Sequence, residues 1–328
     1  MEYPVPRLPT TLFELGFTVL DPIVLRDYPG AKWRGLAGTA LRVAVCHYPQ
    51  RACQRCEERF DCAYAVFYKA FRPEWAEKMR RYESVPRPWV VKGELGPIEA
   101  RAGDRLRVRL AVFGSAQQYA RSILRAFAHG AHRGLSRRGQ RMRLDAVTQI
   151  DPNHSGQQQD LLVDGGIAPP LPTSIIQPPK LPQHGRIRLT LETPLRIERE
   201  QTIGRKKQPQ RISAAELRFV DLFGPLLRRC SMLTYFYTDT ALETDFRGLN
   251  ASAQDIQFIG RQLSEFRCGR YSSSQRKWLD KSGYVGWLDL PANGLASFWP
   301  YLWIGQFTHI GYGTTLGMGG YSVSHLGL

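Results

Sequence analysis

The run His309-Ile310-Gly311-Tyr312-Gly313-Thr314-Thr315-Leu316-Gly317-Met318-Gly319-Gly320-Tyr321 places five glycines within ten residues. Glycine has no Cβ to obstruct an approach and tolerates positive φ, so such a loop can bring backbone N–H groups against a phosphate. Gly311, Gly313, Gly317 and Gly319 are the candidate contacts. A Walker phosphate loop ends in Gly-Lys-Ser/Thr, which this run lacks, and a dinucleotide-binding loop opens a βαβ unit near a domain start, whereas this run lies near the C-terminus. A second cluster is Cys46, Cys53, Cys56 and Cys62, spaced C-x6-C-x2-C-x5-C. The central C-x2-C lets two thiolates turn toward one ion and the flanking cysteines complete a tetrahedron, which suits structural zinc first and an iron–sulfur cluster second. Four buried, reduced cysteines without an ion are the alternative. Of seven histidines, His47 follows the first of these cysteines and His309 opens the glycine run.

The elements that must hold these residues follow from periodicity. Residues 10–21 read as a strand, and 32–46 as a helix with an apolar stripe of Trp33, Leu36, Ala37, Ala40, Leu41 and Ala44. Arg34, Gly38 and Arg42 share the opposite face at i, i+4, i+8. Residues 105–113 alternate as a half-buried strand, 116–130 form a helix that turns Arg121, Arg125 and His129 outward, and 141–150 form a further strand. From 151 to 185 periodicity fades and prolines stand at 169, 170, 172, 178, 179 and 182, which reads as a linker. The plan then repeats: strand 186–195, helix 214–236, strand 284–290, helix 295–307, the glycine loop and a last strand. The pattern is compatible with an α+β fold of tandem ferredoxin-like domains at 1–150 and 186–328, the first carrying a cysteine-rich insert at about 46–62.

A net charge of +16, from 45 Lys and Arg against 29 Asp and Glu, exceeds what solubility requires and points to a polyanionic partner. The basic residues concentrate in a few segments: the outward helix face, the run Arg133, Arg137, Arg138, Arg141, Arg143, and the tract Arg205-Lys206-Lys207. Such concentration suits a surface that tracks phosphates, although a charged face is most often simply solvated. No stretch has the apolar length of a membrane span and the N-terminus has no signal-peptide pattern, so a cytoplasmic protein is expected.

The glycine loop, taken with Arg270-Tyr271-Ser272, Gly283-Tyr284-Val285-Gly286, Phe298-Trp299-Pro300-Tyr301-Leu302 and Thr193-Pro194-Leu195-Arg196-Ile197, resembles the C-terminal domain of CRISPR precursor-RNA processing endoribonucleases of the RAMP superfamily. Trp33-Arg34-Gly35-Leu36-Ala37-Gly38, Leu41-Arg42 and Arg133-Gly134-Leu135-Ser136-Arg137-Arg138 extend the resemblance into the N-terminal half. It implies a repeat-RNA hairpin and the matured guide RNA as partners, other CRISPR effector subunits beside them, and cleavage without a metal cofactor. In that chemistry the ribose 2′-hydroxyl attacks the adjacent phosphate, leaving a 2′,3′-cyclic phosphate and a 5′-hydroxyl. A base, an acid and cations are required. By position after the first helix the resemblance puts the catalytic histidine nearest His47, with orientation of the cysteine loop as an equal alternative. His309 is second, with helix capping as its bland role. Arg34 and Arg42 would hold the phosphate for in-line attack, and Tyr28 would add a hydrogen bond or simply pack. The implied RNA contacts are the four loop glycines with Arg121, Arg125, Arg133, Arg137, Arg138, Lys206 and Lys207. A non-catalytic subunit that caps the hairpin is the competing reading.

Overall fold

The computed structural model describes residues 4–135, 139–154, 156–203, 206–272 and 277–327, and within these it leaves the side chains of 201–203, 206–207, 270–272 and 277–279 aside. Two compact units emerge: Arg7–Ile176 with Ser231–Ala241, and Met1–Pro6 with Gln177–Cys230 and Leu242–Leu328.

In the first unit, β1 (Pro9–Val19) leads to α1 (Gly30–Val45), β2 (Trp89–Gly93), β3 (Arg105–Phe113), α2 (Ala120–Arg133) and β4 (Met142–Ile150). Neighbouring strands run antiparallel in the order β2-β3-β1-β4. With strands taken in chain order, this is the βαββαβ arrangement of a ferredoxin-like domain. β3 alternates because Leu106, Val108, Leu110 and Val112 point into the core while Arg105, Arg107 and Arg109 face solvent, where Arg109 meets Glu14 of β1 at 3.1 Å. Trp33, Leu36, Ala37, Ala40 and Leu41 of α1 are buried against the sheet as their spacing requires, and only Ala44, at the frayed end, is exposed. On α2 the buried stripe is Ala120, Ile123, Leu124 and Phe127. A helical start at 116 is replaced by a 3-10 turn over Gly114–Tyr119.

Residues 151–176 are not a bare linker. Gln158–Asp160 (β5) pairs with β4, and Ser174–Ile175 (β6) pairs with the start of β1. The prolines fix the connections between these short pieces rather than excluding them.

The second unit repeats the plan with β7 (Arg186–Leu195), α3 (Phe219–Tyr237), β8 (Gly260–Phe266), β9 (Gly283–Pro291), α4 (Trp299–Thr308) and β10 (Tyr321–Leu326), in the sheet order β8-β9-β7-β10. Helix α3 begins at 219 rather than 214, and Ser213 and Glu216 bond to each other in a separate turn ahead of it. Its residues from Ser231 onward group with the first unit. Asp289, fully buried on β9, is held by Arg188 of β7 through two hydrogen bonds of 2.7 and 2.9 Å, which answers the cost of burying its charge. Among the described residues no helix is long and apolar enough to cross a membrane.

Candidate nucleic-acid interface

The polar face of α1 is covered by the segment that follows the cysteines. Tyr64 and Tyr68 stack with ring centroids 5.2 Å apart, and Tyr68 lies across Gly38 so closely that a Cβ there would fall 2.5 Å from its ring. The Tyr68 hydroxyl donates to the Arg34 carbonyl at 2.8 Å. The Arg34 guanidinium sits 4.7 Å from the Tyr68 centroid, and that of Arg42 sits 5.9 Å from Tyr64. The two arginines therefore bracket a tyrosine stack, each held against an aromatic face. Arg34 is half-buried, whereas Arg42 is exposed and donates to the Pro49 carbonyl. Tyr28 is buried just ahead of α1, and burial drives the Tyr68 hydroxyl far above its ordinary range.

His47 emerges beyond the last turn of α1. Its Nδ1 lies 3.1 Å from both carboxylate oxygens of Glu58, and its side chain is 72% exposed. A carboxylate astride Nδ1 fixes the ring and leaves Nε2 as the nitrogen available to a reacting group. Glu58 was not foreseeable: it stands eleven residues away with no motif linking it to the histidine.

Cys46, Cys53, Cys56 and Cys62 are half-buried free thiols that line one cavity of about 20 Å³ together with His47 and Glu58. Their donor chemistry fits zinc. Among the described residues, however, no three His, Cys, Asp or Glu side chains converge as a formed metal site, so an ion would require the sulfurs to close further.

Arg121, Arg125, His129 and Arg133 form the exposed face of α2, and Arg121 is tied to the Ile167 carbonyl at 2.7 Å. Arg141 and Arg143 are less available than their spacing suggested, since Arg141 grips Asp21 and Arg143 pairs with Asp145. Arg137, Arg138 and Arg205, and the side chains of Lys206 and Lys207, lie outside the described residues.

In the second unit the glycine run leaves α4 and folds back on β7. Gly311, Gly313, Gly317 and Gly319 all have φ between +69° and +79°, where a side chain is strained. Gly317 and Gly319, though, spend their N–H groups on the protein itself, and so do several of their neighbours. Gly319 N–H donates to Pro194, Tyr312 N–H to Arg196, Ile310 N–H to Gly319, and Met318 N–H to Gly313, while Gly320 N–H donates to the Thr193 hydroxyl. The freedom of glycine here first serves to press the loop onto the strand, and a phosphate would meet only what remains. His309 is 2% exposed, with its Nδ1 3.1 Å from the Met318 carbonyl and its backbone at φ +62°. Such a residue ends a helix and seals a loop, and its ring is not presented to a ligand.

These two units, the second carrying the glycine-rich loop, make a tandem ferredoxin-like architecture. Residues 8–171 match a family model described as an N-terminal domain, and residues 189–321 match the model of the CRISPR-associated endoribonuclease Cas6. Residues 189–321 thus carry a domain of the CRISPR-associated endoribonuclease Cas6 type. Its fold is similar to a Cas6 product complex, at 15% identity and TM-score 0.56 over 96% of this chain and 100% of that one. It is similar also to Thermus thermophilus Cas6, at 14% identity and TM-score 0.53 over 97% of this chain and 99% of that one. In a partial Cas6-RT-Cas1–Cas2 complex the match is 13% identical with TM-score 0.58, covering 99% of this chain and 47% of the other. At these identities the likeness concerns the fold. No curated protein sequence matches the chain.

Proposed function

We propose that this protein binds the hairpin of a CRISPR repeat RNA and cleaves it by attack of a ribose 2′-hydroxyl on the adjacent phosphate, without a catalytic metal, leaving a 2′,3′-cyclic phosphate and a 5′-hydroxyl. The Cas6 match of residues 189–321 supports the RNA-cleaving activity, and the observation that carries the mechanism is the exposed His47–Glu58 pair beside the basic end of α1. With Glu58 holding Nδ1, Nε2 of His47 is the atom that exchanges a proton with the 2′-hydroxyl or the leaving 5′ oxygen. Arg42 approaches the phosphate, and Arg34, held against Tyr68, keeps the helix face cationic. His309 has a structural role in this reading. The exposed cations of α2 supply phosphate contacts along the RNA. The likeness to a chain within a Cas6-RT-Cas1–Cas2 complex supports other CRISPR proteins as partners. Zinc, held by the four cysteines, would staple the segment that carries Tyr64 and Tyr68. Four protein ligands leave no open position, so the ion would supply rigidity rather than chemistry.

The test is incubation of the purified protein with its cognate repeat RNA in EDTA, beside the same RNA carrying a 2′-deoxyribose at the cut site. Cleavage of the first only, with cyclic-phosphate ends, is expected. Tight binding with no cleavage of either would replace this reading with the hairpin-capping subunit.

A further inference from the structure

Lys281 sits in the turn between the hairpin strand Lys277–Asp280 and β9, its N–H bonded to the Cys268 carbonyl at 2.9 Å. The residue is 8% exposed. A lysine is rarely so buried without an acidic partner, because desolvating an ammonium is costly. The neighbouring carboxylates are committed elsewhere: Asp280 and Glu198 both bind Arg196, at 2.8 and 2.6 Å. Among the described residues, no carboxylate lies within ion-pair distance of Lys281. Its Nζ instead donates to the hydroxyl of Tyr312 at 2.6 Å and lies 4.1 Å from the centre of that ring.

Tyr312 belongs to the glycine run, where its N–H is pinned to Arg196, and it is 43% exposed. A phenol oxygen that accepts from an ammonium must turn its own proton elsewhere, and the ammonium makes that proton a stronger donor. The arrangement thus carries a buried positive charge to the surface through one neutral hydroxyl. An anion with hydrogen-bond acceptors completes it.

We infer that Tyr312 is a phosphate-contacting residue, donating to a non-bridging oxygen of the RNA backbone, and that Lys281 is the positioning residue behind it. The inference rests on the RNA-binding reading above and assigns the loop's contact to a side chain, since most of its backbone donors are already used.

The experiment measures affinity of the full chain for cognate repeat RNA made uncleavable by a 2′-deoxy substitution, across about 50 to 200 mM salt, for wild type, Tyr312→Phe and Lys281→Met. Tyr312→Phe removes one hydrogen bond to a charged oxygen and should weaken binding about tenfold, with the salt dependence unchanged because no charge is lost. Lys281→Met should weaken binding and flatten the slope of log affinity against log salt by about 0.7 to 0.9. A merely structural pair would lower the melting temperature and leave that slope alone. Wild-type affinity and slope in both folded variants would overturn the inference while sparing the RNA-binding reading. Failure of the wild type to bind repeat RNA would overturn both. Should Lys281→Met not fold, Tyr312→Phe, which keeps the ring, decides the matter by itself.

Discussion

Alanine at Gly313 and at Gly319 should give sharply different proteins. Both glycines have positive φ, +77° and +69°, so each alanine pays roughly 1–2 kcal/mol for the left-handed backbone. At Gly313 the added Cβ meets the Met318 sulfur at 2.7 Å, the end of an unbranched side chain that can swing aside. At Gly319 it collides with the backbone carbonyl oxygen of Ile310, which is fixed because Ile310 N–H is itself bonded to Gly319. Overpacking of that kind adds roughly 1–3 kcal/mol, for a total of roughly 2–5. At about 2–4 °C per kcal/mol for a unit of this size, Gly313→Ala should lower the melting temperature by roughly 2–8 °C and Gly319→Ala by roughly 4–20 °C. Thermal denaturation followed by circular dichroism separates the two, and repeat-RNA affinity of the surviving Gly313→Ala protein reports on contact. Equal melting temperatures would refute the claim that the Ile310 carbonyl is held fixed against Gly319. Simultaneous valines at Gly313 and Gly317 are not a clean probe of RNA contact, since both positions lie at φ near +78°.

His47→Ala should slow single-turnover cleavage by about 10²- to 10⁴-fold with hairpin affinity nearly unchanged, and Glu58→Gln should slow it less; full activity in His47→Ala would move the proton transfer to another group. Asp21 is held at about 2, below its ordinary 3.8, first by the side-chain hydrogen bond from Arg141 and then by that residue's N–H. Its stabilising contribution is therefore complete above pH of about 4 and fades as pH falls toward 2, so Asp21→Asn should flatten the acid limb of a pH–stability curve in that window; an unchanged limb would remove the assignment. Elemental analysis of protein purified without added metal should find about one zinc per chain if the four cysteines close on an ion, and less than about a tenth of an equivalent would dispose of the site.

Strands and helices with one buried face were legible because alternation or a 3.6-residue stripe announces them. The second strand of each unit was not. β2, Trp89-Val90-Val91-Lys92-Gly93, is short and nearly continuous in apolar residues, and β8, Gly260–Phe266, is an edge strand with no fully buried position. Neither gives the period-two signal, and both are specified by the neighbour they pair with. The candidate site divides in the same way. Arg34 and Arg42 were readable as one helix face, but not the tyrosines that cover it, because Tyr68 reaches Arg34 across 34 residues. Likewise Glu58 meets His47, and Lys281 meets Tyr312, through folding alone. The cysteine spacing suggested a formed tetrahedron, whereas the four thiols share a cavity without converging among the described residues.

Residues 46–88, between the end of α1 and the start of β2, carry His47, Glu58, the four cysteines and the Tyr64–Tyr68 stack. In a βαββαβ domain this stretch is a crossover, and sheet order places no demand on its length. Most of its anchors to the scaffold lie beyond residue 63, among them Tyr68 over Gly38, the Trp89 indole N–H donating to the Phe67 carbonyl at 2.7 Å and the Glu77 N–H donating to the Tyr235 hydroxyl, while ahead of it the Tyr119 hydroxyl donates to the Asp61 carbonyl and Arg42 to that of Pro49. Evolution can therefore rewrite the proposed chemistry of this protein as a cassette, changing acid, base or metal ligands while the sheet keeps its register. Chimaeras exchanged within 46–63 and keeping the tyrosine anchors are where new cutting specificities should be sought.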